Sequence, residues 1–134
     1  MKKYPVEKSF YVFASFAAVG GFLEAYTYLL HGGVFCNAQT GNLVLLAMNL
    51  FAGNFAPAAH YAYSILAYLA GIFVSVILSK ALKGTLSHVI VTAAELAAFV
   101  ALAFVPAGAS DWYTYVSVAF LCALQYNVFT ECRG

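Results

Sequence analysis

The chain reads as an all-α, polytopic transmembrane helix bundle with four full spans and one short broken or re-entrant helix. Three observations carry that expectation. Hydrophobic residues make up 64% and charged residues 8% of the 134 positions, and the mean hydropathy is +0.87. A soluble core of this size would leave too little polar surface to face water. Apolar residues fall in runs of about 19 to 22 positions, enough helix to cross about 30 Å of hydrocarbon at 1.5 Å per residue. One run is far too short for that, and it follows the most polar stretch of the chain.

The first run, Phe10 to Leu30, carries Glu24 in its outer third and small residues at Ala17, Gly21 and Ala25. That spacing lets another helix approach closely, so this face is expected to meet a partner helix. Gly32-Gly33 ends the helix, because glycine accepts left-handed backbone angles. Then comes the anomaly. Thr40 to Phe51 is only about 12 residues, or about 18 Å of helix, too short to span. It is read as a half-helix entered from an irregular segment, which is tolerated at membrane depth only when buried in protein or lining a wet cavity.

A loop with Gly53, Asn54 and Pro57 leads to the run Ala58 to Ser79, where Tyr61, Tyr63 and Tyr68 mark an interface. Ala67, Gly71, Ser75 and Ser79 form a second small-residue face. Ser87 to Val105 is a further span with Glu95 near its middle, and Trp112 to Thr130 is the last. Charge then decides the topology. If the short helix does not cross, Lys2, Lys3, Lys8, Lys80, Lys83 and Arg133 all fall on one side, as the positive-inside rule prefers. The N-terminus is therefore expected in the cytoplasm, with His31, His60 and Asp111 outside.

Other readings fall away on composition. A net charge of +1 without a basic stripe argues against nucleic-acid binding. Cys36, Cys122 and Cys132 are an odd, scattered set that suggests neither a disulfide framework nor zinc, and they read as small core residues. The lysines before the first run look like the start of a signal peptide, but Glu24 interrupts any cleavage region, so a retained helix is the better reading. A catalytic triad, a phosphate loop and a clustered metal motif are absent, so no enzyme is expected and no cofactor or metal is called for.

Sliding the chain by about a hundred residues lays Leu23-Glu24 over Leu124-Gln125 and Gly33 over Gly134, which suggests an internal repeat. Residues 9–110 would form the first copy and 111–134 the start of the second. Three intervening spans would invert the second copy, the plan of many secondary transporters. The chain would then be part of a longer protein.

The residues GGFLEAYTYLLHGGVFCNAQTGNLVLLA and ALQYNVFTECRG together resemble the YoaK, or DUF1275, family of bacterial multi-pass membrane proteins. Gly21, Glu24, Gly32, Gly33, Phe35, Thr40, Gly41 and Asn42 carry the first part of the likeness, and Leu124, Gln125 and Asn127 the second. Glu24 stands where the family commonly has aspartate, and Ala123 where it usually has glycine. The resemblance implies a bacterial inner-membrane location and a longer parent chain, but no defined activity.

Candidate binding residues follow from polarity inside apolar runs. A central intramembrane charge costs roughly 2.5 to 3.5 kcal/mol on insertion scales, so Glu24 has to be paired, protonated or solvated. It is either a proton or cation site or a hydrogen-bonding link to a neighbouring helix. Thr40-Gly41-Asn42 is either the start of a ligand-binding half-helix, with Thr40 or Asn42 as its cap, or an ordinary cap at a helix crossing. Asn37 and Gln39 belong to the same stretch. Glu95 is either a relay partner of Glu24 or a structural bond, and Gln125 and Asn127 are either second-copy counterparts or interhelical glue. The expected partners are the lipid bilayer and a small solute or proton, and the chain is compatible with a homo-oligomer. Two functions stay open: a transporter-like or permease-like protein, and a membrane scaffold whose polar groups are structural.

Overall fold

A computed structural model describes residues 6–81 and 111–131, together with positions 93, 96, 97, 99, 100 and 104. Among these residues every regular element is an α-helix: α1 (Val6–Leu30), α2 (Gln39–Phe51), α3 (Phe55–Ala81) and α4 (Asp111–Glu131). The ends of α1, α3 and α4 lie close to those of the apolar runs. The span expected at Ser87 to Val105 falls largely outside the described residues, but Ala93, Leu96, Ala97, Phe99 and Val100 within it are helical. Pro57 is not in the loop. It occupies the first turn of α3, where a missing N–H costs nothing because that group has no partner within the helix.

Among the described residues one helix, Phe55–Leu78, is long and apolar enough to cross a membrane, with a mean hydropathy of 2.0. Only 17% of it is buried inside the fold, so it is not the wrapped core helix of a globule. Large apolar side chains face outward elsewhere too, including Phe22, Leu29, Val44, Phe51 and Tyr113.

The helix directions can be read from contacts. The rings of His60 and Tyr115 lie 6.0 Å apart, and further along Ser75 Oγ donates to the carbonyl of Leu124 at 3.1 Å. Numbers rise together on both helices, so α3 and α4 run parallel. Between those points Gly71 is buried against α4, where an added Cβ would lie 2.5 Å from the Phe120 carbonyl oxygen and 2.6 Å from Ala123 Cβ. The small-residue face of α3 therefore does what its spacing implies and brings two backbones together. α2 returns against α3 through the tight turn 52–54. The end of α1 meets the start of α4 where His31 Nδ1 lies 3.3 Å from Asp111 Oδ1.

One small cluster lies in the interior. Cys36, Val118 and Cys122 are buried together, with Leu23, Tyr68 and Phe99 packed on them. The reading of Cys36 and Cys122 as core residues thus holds, and the two thiols also meet. Cys132 lies outside the described residues. The expectation for Ala17, Gly21 and Ala25 fails, because all three are exposed and a Cβ on Gly21 would touch nothing. The reason is rotational. α1 is turned so that Leu23, Glu24 and Thr27 face the polar break, which carries the other small residues away from the interior.

Gly71→Ala should lower stability by about 1–3 kcal/mol, because backbone on α4 has to move aside. Gly21→Ala should be neutral or slightly stabilising, since alanine favours helix by about 1 kcal/mol over glycine. Thermal melting of both variants in detergent tests this ranking, and equal effects would refute the α3–α4 contact.

Candidate functional site

The break between α1 and α2 begins with Gly32 and Gly33, at φ of 82° and 67°. Side chains with a Cβ rarely adopt this left-handed region, so the pair turns the chain sharply at the end of α1. Residues 34–38 then run without helix, with Val34 and Cys36 fully buried and Asn37 and Ala38 exposed. Asn37 reaches Tyr68, the middle residue of α3, whose hydroxyl donates to Asn37 Oδ1 at 3.3 Å. α2 thus starts halfway along α3, and its 13 residues lead back toward the start of that helix. The half-helix is real, and it begins at Gln39.

Unpaired backbone in such a place is costly, so each N–H and C=O needs a partner. Two side chains supply most of them. Glu24 Oε1 accepts the N–H of Asn37 at 2.8 Å and of Ala38 at 2.6 Å. Ala38 is the N-cap of α2 and makes no side-chain cap bond. Glu24 therefore caps α2 from α1, placing a carboxylate at the positive end of a helix dipole. Its other oxygen, Oε2, is buried and has no hydrogen-bond partner among the described residues.

Asn42 closes the break from the other side. It is fully buried, and its Oδ1 accepts the Phe35 N–H at 2.9 Å. Its Nδ2 lies 2.6 Å from the Phe35 carbonyl, 2.9 Å from Gln39 Oε1 and 3.2 Å from Ser64 Oγ. The Ser64 hydroxyl in turn donates to the same Phe35 carbonyl at 3.2 Å, and Gln39 Nε2 donates to the Cys36 carbonyl at 2.9 Å. An amide suits this position because it offers a donor and an acceptor side by side, matching the two backbone groups of Phe35. The Phe35 ring stacks on Tyr28 of α1 with centroids 4.6 Å apart. The ring also covers Gly41, where a Cβ would stand 2.9 Å from it.

Most of the anticipated polar residues therefore come together. Glu24, Asn37, Gln39, Gly41 and Asn42 all build the break. Thr40 is the exception: it is exposed, and neither it nor Asn42 caps α2, because Glu24 already meets the backbone there. Glu95 lies outside the described residues. Gln125 and Asn127 are on the C-terminal half of α4, and their side chains are not described. Ser64 is a participant that the sequence reading did not single out. Its signal was present, since Ser64 extends the face of Gly71 and Ser75 back along α3. Among the described residues no group of three or more His, Cys, Asp or Glu side chains is placed to hold a metal.

The family signature falls on this geometry. A family described as "Protein of unknown function (DUF1275)" matches residues 12–134. The chain belongs to the DUF1275 family. No match was found among curated proteins or among solved structures. In this DUF1275 chain the Gly-Gly-x-Phe and Thr-Gly-Asn segments are two sides of one lock: the glycine pair makes the turn, Phe35 fills the space over Gly41, and Asn42 binds the Phe35 backbone.

Asn42→Leu, of similar size, should lower stability by about 3 kcal/mol because it strands the buried groups of Phe35. Thr40→Ala should change stability by less than about 0.5 kcal/mol, as surface substitutions do. Melting curves of the two variants in the same detergent check both values.

Proposed function

We propose that the chain is a multi-pass membrane protein of transporter-like or permease-like build that binds a small polar solute or ion at the break between α1 and α2. Glu24 is the carboxylate that takes up a proton or small cation. The observation that carries this reading is Glu24 Oε2. Oε1 is committed to two backbone donors, while Oε2 is buried and has no partner among the described residues, at the N-terminus of a half-helix set midway along α3. A buried carboxylate oxygen without a donor calls for a proton or a cation, and broken helices are where transporters place such groups.

The membrane arrangement draws on three supports. One helix has the length and hydropathy of a span, and many large apolar side chains face outward. α3 and α4 run parallel, and the apolar run Ser87 to Val105 in the sequence between them has the length of a span. We read these supports as four spans with the lysine-rich side in the cytoplasm, in a bacterial inner membrane. The antiparallel run of α1 and α4 agrees with an inverted repeat.

A second reading, a non-transporting membrane scaffold, is favoured by the same bonds seen from the structural side. Glu24 Oε1 caps a helix, and Asn42 is saturated. Glu24→Gln separates the two, because an amide oxygen still accepts both backbone N–H groups while the ionisable oxygen is lost. The expected result is a fold that melts like the parent, together with loss of a pH-dependent carboxyl stretch in infrared difference spectra and of proton uptake into liposomes. If the parent protein has neither signal, the scaffold reading stands.

A further inference from the structure

Cys36 immediately precedes the two residues whose N–H groups Glu24 accepts. Its thiol makes a hydrogen-bonding contact with the thiol of Cys122 on α4. Both are buried with Val118, and Leu23, Tyr68 and Phe99 pack on the cluster. A single buried cysteine is usually a small apolar residue and nothing more. Two whose thiols touch are different. A disulfide needs Cβ atoms about 3.5 to 4.5 Å apart, and side chains already in thiol contact have little distance left to close.

The contact also joins two unlike pieces of backbone. Cys36 lies in the stretch outside any helix, whereas Cys122 sits on α4 beside the crossing where Gly71 of α3 meets Phe120 and Ala123. The break is tied to α1 through Glu24 and to α3 through Ser64 and Tyr68, in each case by hydrogen bonds. A sulfur–sulfur bond would add a covalent tie to α4, at a place where that helix is already packed against backbone.

We propose that Cys36 and Cys122 form an oxidation site, at which a peroxide converts the two thiols to a disulfide that locks the break onto α4. Burial sets the order of events. Cys122 keeps 7% of its surface and Cys36 none, so a small neutral peroxide reaches Cys122 first. The Cys122 sulfur attacks one peroxide oxygen and the O–O bond breaks, leaving a sulfenic acid and one water. The Cys36 sulfur then attacks the Cys122 sulfur, the S–O bond breaks, and the hydroxyl leaves with the Cys36 proton as a second water. Two electrons pass from sulfur to peroxide. The lock stands or falls independently of the role proposed for Glu24.

The full chain in detergent, treated with hydrogen peroxide and digested without reductant, should yield a peptide linking Cys36 to Cys122 that disappears with dithiothreitol. Amide hydrogen exchange across residues 34–38 should be about ten-fold slower or more in the oxidised protein, and should recover on reduction. Cys36→Ala and Cys122→Ala should each abolish both the linked peptide and the slowing. Linkage only through Cys132 or between two chains would overturn the proposal, as would oxygen addition to Cys36 or Cys122 without linkage. A Cys36–Cys122 peptide with unchanged exchange would overturn the lock. If the alanine variants do not fold, the peptide map and the exchange rates of the parent chain, oxidised against reduced, decide.

Discussion

Everything in this fold follows from the need to satisfy backbone that leaves helical geometry inside an apolar assembly. Residues 34–38 have no helical ladder to join, and water does not reach their buried groups. Glu24 and Asn42 answer that need from opposite sides. One carboxylate oxygen collects two N–H groups at the head of α2, and one amide pairs with both backbone groups of Phe35. Each contact also orients a helix. The first fixes the rotation of α1, and the second ties α2 to α3 through Ser64.

The same constraint explains why glycine recurs where it does. Gly32 and Gly33 let the chain turn where a side chain would be strained. Gly41 leaves space for the Phe35 ring, and Gly71 lets α3 lie against the backbone of α4. These are three different uses of a missing Cβ. The small residues of α1 have no such duty in the described fold, because the rotation set by Glu24 leaves them on the surface.

Glu24 caps α2 with one carboxylate oxygen, while the other has no hydrogen-bond partner among the described residues. A change at Glu24 would then be felt at the start of α2, and through Asn42 at α3. This is the physical link between the locking role of the residue and the binding role proposed for it, and it explains why one set of contacts supports both readings.

Composition and run length were enough to determine an all-helical chain, the ends of α1, α3 and α4, and the undersized α2, because hydropathy and a rise of 1.5 Å per residue act locally. The gathering of Glu24 with the polar stretch was legible as well, since lone polar groups in apolar runs have to find one another. Tertiary structure decided the rest. Sequence could not say that Glu24 rather than Thr40 caps α2, because Thr40 lies beside the helix start in the chain while Glu24 reaches it only across space. Nor could it reveal the meeting of Cys36 with Cys122 or the partnership of Ser64 with Asn42. Each of these joins residues far apart in the chain, and which residues meet depends on helix rotation and crossing, quantities that no local pattern carries.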